Sequence, residues 1–403
     1  MAIKVRVLLS SIVMLATMSL VGCGHYTCGT TFGNATCTSS GGGISQGGNG
    51  GAIKAFGYFV DFSHLGNTTV GMALQEMDSG AGTFNALSAF VPPTLPAKPT
   101  GLLIVDKNLM YIPSSDGTLY GYTIDLTSGA LTMAPGSPYI VDGGTSIATN
   151  AAGTLLFVGD VAGQRISVFS VSATGSLAAV SGSPFPTLGL SPAVMATDGQ
   201  NKFLYVSQGS GSSLVGAFSI ASAGTLTAVP GSPFSFSMSA LAGEPSGKYL
   251  LGVTGQVADN HVHVFGINSS SGVITEVAGS PFSSTYAPIN LAVHPNGAWV
   301  YIFNQGVSAG TEQPMEGFTI ASATGALTEI SGSPFANLTA DEGEFDQSGN
   351  YLFAQGITLL AGNSDSTVTP YTVNTSTGVL TSTLPSLGFP GIQNAAYGVT
   401  DAQ

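Results

Sequence analysis

Few residues of this 403-residue sequence could do chemistry, because only 7% of it is charged. His261 and His263 alternate along one predicted strand and so share a face, a spacing at which two imidazoles can hold a metal ion. Arg165 stands at the equivalent point of another predicted strand. Together with Glu344, Arg165 and His261 are the candidate catalytic residues, supplying a general base and a cation that stabilises an oxyanion.

A second candidate cation site is acidic. Asp341 and Glu342 adjoin Glu344, and carboxylate oxygens are the ligands that Ca²⁺ prefers. The alternative is that these acids are solvated and spread apart. Since no third ligand is identified for the histidine pair, we predict no metal cofactor and keep Ca²⁺ as the alternative.

Other polar residues recur where the first strand of each predicted unit ends. Six of the seven have side chains that can bond turn amides, so we interpret them as turn residues, His294 and Glu244 included. The series is Asp106, Asn150, Asp198, Glu244, His294, Asp346 and Thr400.

The elements that position these residues come from a repeat. A Gly-Ser-Pro-aromatic sequence recurs with its serines at 137, 183, 232, 280 and 333, spaced 46, 49, 48 and 53 residues apart. A degraded copy surrounds Ser386, and an earlier unit ends near Pro92. Seven units of this length, each with four strands, predict an all-β, seven-bladed β-propeller.

The chain ends are predicted to close the ring. Residues 52 to 91 supply three strands, around Phe56–Val60, Val70–Met77 and Phe84–Phe90, and residues 392 to 400 supply a fourth. One C-terminal strand beside three N-terminal strands completes a four-stranded blade and removes an open sheet edge. The propeller is therefore expected to span residues 52 to 403.

The first 22 residues predict a signal peptide. Lys4 and Arg6 precede an apolar run that is too short for a stop-transfer helix. Leu20-Val21-Gly22-Cys23 resembles the lipobox of bacterial lipoproteins, in which the cysteine receives a lipid. The alternative is an ordinary secretory signal with an incidental cysteine.

A tether is expected to follow over residues 23 to 51, since residues 38 to 51 are rich in Gly and Ser. Cys28 and Cys37 lie in this segment and would meet an oxidising compartment. A disulfide between them and a pair of free thiols stay equally open.

The amino-acid composition limits the kinds of partner that the protein can bind. Eight Lys and Arg against 21 Asp and Glu leave a net charge of −13, which excludes nucleic-acid binding through phosphate neutralisation. Attachment to a membrane must then come from the lipid rather than from charge. We expect a monomer in the cell envelope, in the outer membrane or on the cell surface if the organism has two membranes.

Tandem units with strands such as Lys202–Val206 and Val168–Val171, a turn such as Gly325–Thr328, and then Gly-Ser-Pro-Phe resemble the lactonase family of seven-bladed propellers. The resemblance covers about residues 52 to 403. It implies the 6-phosphogluconolactonase-like fold, and characterised relatives open sugar lactones or run a cycloisomerisation with His, Glu and Arg at the central channel. No local motif transfers those residues to positions in this sequence.

Two functions follow. One is a binding module for a small neutral or cationic molecule, a glycan or an envelope protein. The other is a lactone hydrolase for a non-phosphorylated sugar lactone, because the loops expected on the ligand face hold eleven acids against Arg165 and Lys98. A convergent His–Glu–Arg triplet in the channel would favour the hydrolase, and scattered residues would favour the binding module.

The lipid anchor is tested by Cys23→Ser. Because lipidation with more than one chain gives stable anchoring, the variant is expected to move from the membrane fraction to the soluble fraction. Fractionation with immunoblotting measures the shift. An unchanged membrane fraction would contradict the lipoprotein assignment.

Overall fold

The computed structural model describes residues 53–61, 72–78, 83–86, 93–96, 98–209, 213–256, 258–305, 313–336, 338–360, 363–382, 387–389 and 395–401. These residues form strands and turns, and no helix occurs among them. Within the same residues, nothing resembles a helical segment able to cross a membrane. The predicted signal peptide and tether, with Cys23, Cys28 and Cys37, lie outside the described residues.

The strands build small antiparallel sheets, which we call blades. The composite blade contains β1 (Ile53–Asp61), β2 (Met72–Asp78), β3 (Thr83–Ala86) and β32 (Ala395–Asp401). Blade 1 contains β4 (Leu103–Val105), β5 (Leu109–Pro113), β6 (Thr118–Ile124), β7 (Leu131–Met133) and β8 (Tyr139–Ile140). Blade 2 contains β9 (Ser146–Thr149), β10 (Leu155–Asp160), β11 (Arg165–Val171), β12 (Leu177–Ala179) and β13 (Phe185–Pro186). Blade 3 contains β14 (Val194–Thr197), β15 (Phe203–Ser207), β16 (Val215–Ile220) and β17 (Leu226–Ala228).

The second half of the chain repeats the pattern. Blade 4 contains β18 (Ala240–Gly243), β19 (Tyr249–Val253), β20 (His261–Ile267), β21 (Ile274–Glu276) and β22 (Phe282–Ser283). Blade 5 contains β23 (Pro288–Val293), β24 (Trp299–Asn304), β25 (Glu316–Ile320) and β26 (Leu327–Glu329). Blade 6 contains β27 (Glu342–Phe345), β28 (Tyr351–Leu360), β29 (Asn363–Val373), β30 (Leu380–Thr381) and β31 (Leu387–Phe389).

The fold is an all-β propeller whose first strands form a ring around a central channel. Among the described residues, the first strands β4, β9, β14, β18, β23 and β27 contact one another in that order, and β32 lies between β27 and β4. Six blades thus consist of consecutive strands, whereas the sheet β3-β2-β1-β32 joins the two ends of the chain. The sequence predicted seven four-stranded blades; the described strands form six blades of consecutive strands and this composite sheet, and four of the six carry a short fifth strand.

Closure depends on the pairing of β1 with β32. The two strands are antiparallel from Ala55 opposite Asp401 to Asp61 opposite Ala395. The sequence predicted this arrangement from residues 392 to 400, and β32 falls within one residue of that range at its C-terminal end. Pairing satisfies the backbone groups that an open edge strand would expose.

The Gly-Ser-Pro motif connects the outer strands of a blade. In five units, the serine hydroxyl accepts a hydrogen bond from a backbone N–H of the third strand, for example Val168 N to Ser183 Oγ at 2.8 Å and Gly317 N to Ser333 Oγ at 3.1 Å. The Ser-Pro peptide bond is cis in all five. Beyond it, residues such as Phe185 pair with the third strand as a short fifth strand, which the sequence did not predict.

The core lies between blades. Along β10, Leu155 and Phe157 pack against blade 3, whereas Leu156 and Val158 pack against blade 1. All six residues of β10 are buried, because alternate side chains face the two neighbouring sheets. This explains why the second strands read as continuous apolar runs rather than as alternating ones.

Buried tyrosines add a polar bond between blades. The Tyr205 hydroxyl donates to the carbonyl oxygen of Gly272 in the next blade at 3.0 Å, and Tyr111 does the same to Gly175 at 2.8 Å. Tyr58 and Tyr301 repeat the bond, to Gly129 and Gly378. Burial raises the pKa of each of these phenols, so they remain neutral donors.

Tyr205→Phe tests this bond. Because the substitution leaves the Gly272 carbonyl buried without its donor, the free energy of unfolding is expected to fall by about 1–3 kcal/mol. Urea denaturation measures the change. Tyr249→Phe is the matched control, since that hydroxyl lies 3.5 Å from the Ser322 carbonyl and its loss should cost less. An equal loss in both variants would contradict a role for the shorter bond.

Candidate functional site

The candidate site is a cavity of about 450 Å³ at the start of the inner strands, within the size range of small-molecule sites. Five blades contribute to it, numbers 2 to 6. Its lining residues are Ser146, Ile147, Ala193, Val194, Met195, Ser239, Ala240, Leu241, Ile289, Asn290 and Glu342.

At one position of the inner strand, three blades have a polar lining residue and two have an apolar one. Ser146, Asn290 and Glu342 each stand four residues before the turn residue of their blade, where blades 3 and 4 have Val194 and Ala240. The sequence patterns alone did not single out Ser146 or Asn290. Comparing this position across the repeat would have found them, because apolar residues in the sister units mark the polar ones as exceptions.

Glu342 and Glu344 lie on one face of β27, since strand side chains alternate. Each residue is partly exposed, but its carboxyl group lies among protein atoms. Burial raises the pKa of Glu342 to about 7, and the charge of Asp341 adds to the effect. Burial likewise raises the pKa of Glu344 to about 8, and the charge of Glu342 adds to it. Near pH 7, these carboxyl groups can therefore accept or donate a proton.

Arg165 is engaged by two acids and lies elsewhere. It begins β11, as the sequence predicted for a third strand. Its Nε lies 3.0 Å from Asp160 Oδ2, and its Nη1 lies 3.7 Å from Asp142 Oδ2. Asp160 also accepts a hydrogen bond from the Gly163 N–H at 2.8 Å. The guanidinium charge is thus shared with carboxylates of its own loops and is absent from the cavity lining.

The two histidines form a cluster with acids in blade 4. His261 Nδ1 lies 2.7 Å from Asp259 Oδ1, and His263 Nδ1 lies 2.8 Å from Glu276 Oε1. Asp259 Oδ2 accepts a bond from the Thr254 hydroxyl. Burial opposes the ionisation of Asp259, but hydrogen bonds from His261 and Thr254 and the nearby imidazoles outweigh it and lower the pKa of Asp259.

The structure does not gather the candidate metal ligands. Across the described part of the chain, no three His, Cys, Asp or Glu side chains are arranged to hold a metal ion. His261 and His263 share a strand face as predicted; their Nδ1 atoms bond different carboxylates, and His263 Nε2 also lies 3.8 Å from Asp259 Oδ2. Asp341 and Glu342 likewise belong to no group of three such side chains within these residues, and their metal-binding roles stay predictions.

The three candidate catalytic residues are also separated. Arg165 lies in blade 2, His261 in blade 4 and Glu344 in blade 6, and the first two begin third strands whereas Glu344 lies on an inner strand. The cavity lining includes none of the three, although Glu342 beside Glu344 belongs to it. Their catalytic roles stay predictions.

Five of the seven predicted turn residues accept turn N–H groups, as the sequence predicted: Asn150, Asp198, Glu244, His294 and Asp346. Asp198 Oδ1 accepts the backbone N–H groups of Lys202 and Phe203, and Glu244 Oε1 accepts that of Ser246. His294 Nδ1 accepts the Asn296 N–H, and its Nε2 lies 2.8 Å from the Gly349 carbonyl oxygen. These groups are occupied by turns and leave the chemistry of the site to other residues.

Comparisons with known proteins support the fold. No protein-family model matches the sequence, and no curated protein matches it significantly. Among solved structures, a Bacteroides uniformis protein provisionally described as a 6-phosphogluconolactonase is similar, with a TM-score of 0.64 and 16% identity over 86% of this chain and 100% of that one. The Pseudomonas aeruginosa periplasmic gluconolactonase has a TM-score of 0.62 and 16% identity over 85% of this chain and 99% of that one. The chain therefore has a lactonase-like propeller fold.

Proposed function

We propose that this protein is a binding module of the cell envelope that takes a small neutral or cationic molecule into its central cavity. The observation that carries the proposal is the cavity itself, which is lined by five blades and includes Glu342 but no Lys, Arg or His among its described lining residues. Such a lining disfavours anions, because the Glu342 carboxylate repels them and no described lining residue carries a compensating positive charge.

The separation of Arg165, His261 and Glu344 supports binding over hydrolysis. A lactone hydrolase needs a group that activates water and a donor that stabilises the oxyanion at the same carbon atom. Arg165 is paired with Asp160 and Asp142, and His261 is paired with Asp259 two blades away. Neither belongs to the cavity lining.

The location remains part of the proposal. A signal peptide over residues 1 to 22, lipidation of Cys23 and a tether to residue 51 would place the propeller in the cell envelope. There it would meet small molecules, glycans or envelope proteins rather than nucleic acids.

Ligand entry is tested by filling the cavity. Ala193 is an exposed lining residue, so Ala193→Trp should block the cavity with little change in the core. We expect neutral sugars, sugar lactones or organic cations to raise the melting temperature of the wild-type protein but not that of the variant. Ala223→Trp, at an exposed turn outside the cavity, is the matched control. Binding in the cavity would be contradicted if no compound raised the melting temperature of the wild-type protein, or if the two variants showed equal shifts.

Lactone hydrolysis is the second candidate, favoured by two observations. Structural neighbours include the periplasmic gluconolactonase. Glu342 and Glu344 lie on one strand face with pKa values of about 7 and about 8, which suits a general acid or base near neutral pH. In this reaction, a carboxylate would take a proton from water as the water attacks the lactone carbonyl, and would return a proton to the ring oxygen as the acyl C–O bond breaks.

A comparison of two lactones tests this candidate. If Glu342 is the base, opening of glucono-1,5-lactone above the spontaneous rate should increase from pH 6 to pH 8, because the carboxyl group ionises as the pH passes its pKa of about 7. Glu342→Gln should remove this increase. Turnover of 6-phosphogluconolactone should be slower, since its dianion meets the acidic cavity. A pH-stat measures both rates, and faster turnover of the phosphorylated lactone would overturn the electrostatic argument.

A further inference from the structure

The hydrogen bonds that the cavity serines already make decide what they can offer a ligand. Ser146 donates its hydroxyl proton to the Pro192 carbonyl oxygen, and Ser239 donates to the Val253 carbonyl oxygen at 3.1 Å. A hydroxyl has one proton and two lone pairs. Both serines therefore face a ligand as hydrogen-bond acceptors.

Asn290 offers the opposite polarity. Its side-chain oxygen accepts the backbone N–H of Leu291 at 2.9 Å, which also identifies that atom as the oxygen. The NH₂ group remains as a donor. Glu342, on the neighbouring inner strand β27, offers only acceptors when ionised. The cavity thus presents acceptors from three side chains and a donor from one.

From this pattern, and resting on the function proposed above, we propose that the ligand is a polyhydroxylated primary ammonium compound, such as an amino sugar. Its ammonium group would bind Glu342. Its hydroxyl groups would donate to Ser146 and Ser239, and one of its oxygens would accept from Asn290.

The ammonium group is favoured over a hydroxyl because of the Glu342 carboxylate. An ammonium brings three donors and a compensating charge, and hydrogen bonds between charged groups are stronger than those between neutral groups. A neutral sugar would satisfy the serines but leave the Glu342 charge without a countercharge, which costs more beside protein atoms than in water. Burial raises the pKa of Glu342 to about 7, and a bound cation would favour its ionised form.

Three related ligands test the proposal: glucosamine, its N-acetyl derivative, which lacks the charge, and glucose. By titration calorimetry at pH 7.5, glucosamine is expected to bind at least about tenfold more tightly than the other two, the effect of one charge-assisted hydrogen bond. Glu342→Gln should abolish this preference. Glu329→Gln, at an exposed acid on β26, should leave it unchanged.

The outcomes separate this inference from the proposed function. Equal binding of glucose and glucosamine would overturn the ammonium assignment and leave cavity binding intact. Absence of binding by all three would also overturn it, while the Ala193→Trp panel judges the cavity independently. If Glu342→Gln does not fold by circular dichroism, the wild-type ligand comparison still decides. Ser146→Ala should weaken all three ligands alike, and an unchanged affinity would contradict the acceptor role of this serine.

Discussion

The burial of each blade against its neighbours is the constraint on which the rest of this structure depends. Every described core cluster is shared between two adjacent blades, from the one that joins the composite blade to blade 1 through the one that joins blades 5 and 6. No blade can bury its two apolar faces alone, so the sheets must stack in a closed ring. The ring in turn creates the channel and brings side chains from distant parts of the chain to one cavity.

Polar bonds make this apolar stacking specific. Tyr58, Tyr111, Tyr205 and Tyr301 each reach across a blade interface to a turn carbonyl group. Each bond satisfies a group that would be costly to bury unpaired, so it fixes how one blade is seated on the next. These second-strand tyrosines therefore link the apolar core to a turn of the neighbouring blade.

Charged side chains have different surroundings in the outer strands and in the channel, the two regions where they could do chemistry. In the outer strands, Arg165 and His261 each lie beside carboxylates, which compensate the Arg165 charge locally. In the channel, Glu342 has no such cation among the lining residues, and its pKa is raised to about 7. A buried carboxyl group of this kind suits either the recognition of a cation or the transfer of a proton, which is why the two proposed functions share one site.

The sequence alone determined the propeller, its repeat and the turn roles of residues such as Asp198 and His294, because these depend on local hydrogen bonds and on strand periodicity. It also predicted that the chain ends would pair, from a three-stranded first unit and one spare strand. Which residues line the cavity, and which partners surround the candidate residues, was decided only by the tertiary structure. Arg165 and His261 occupy equivalent positions in two blades. Their partners lie on loops and strands, and an alignment of the repeats does not show which of these come close. The cavity joins Ser146 to Glu342 across almost 200 residues of sequence, because ring closure sets their neighbourhood.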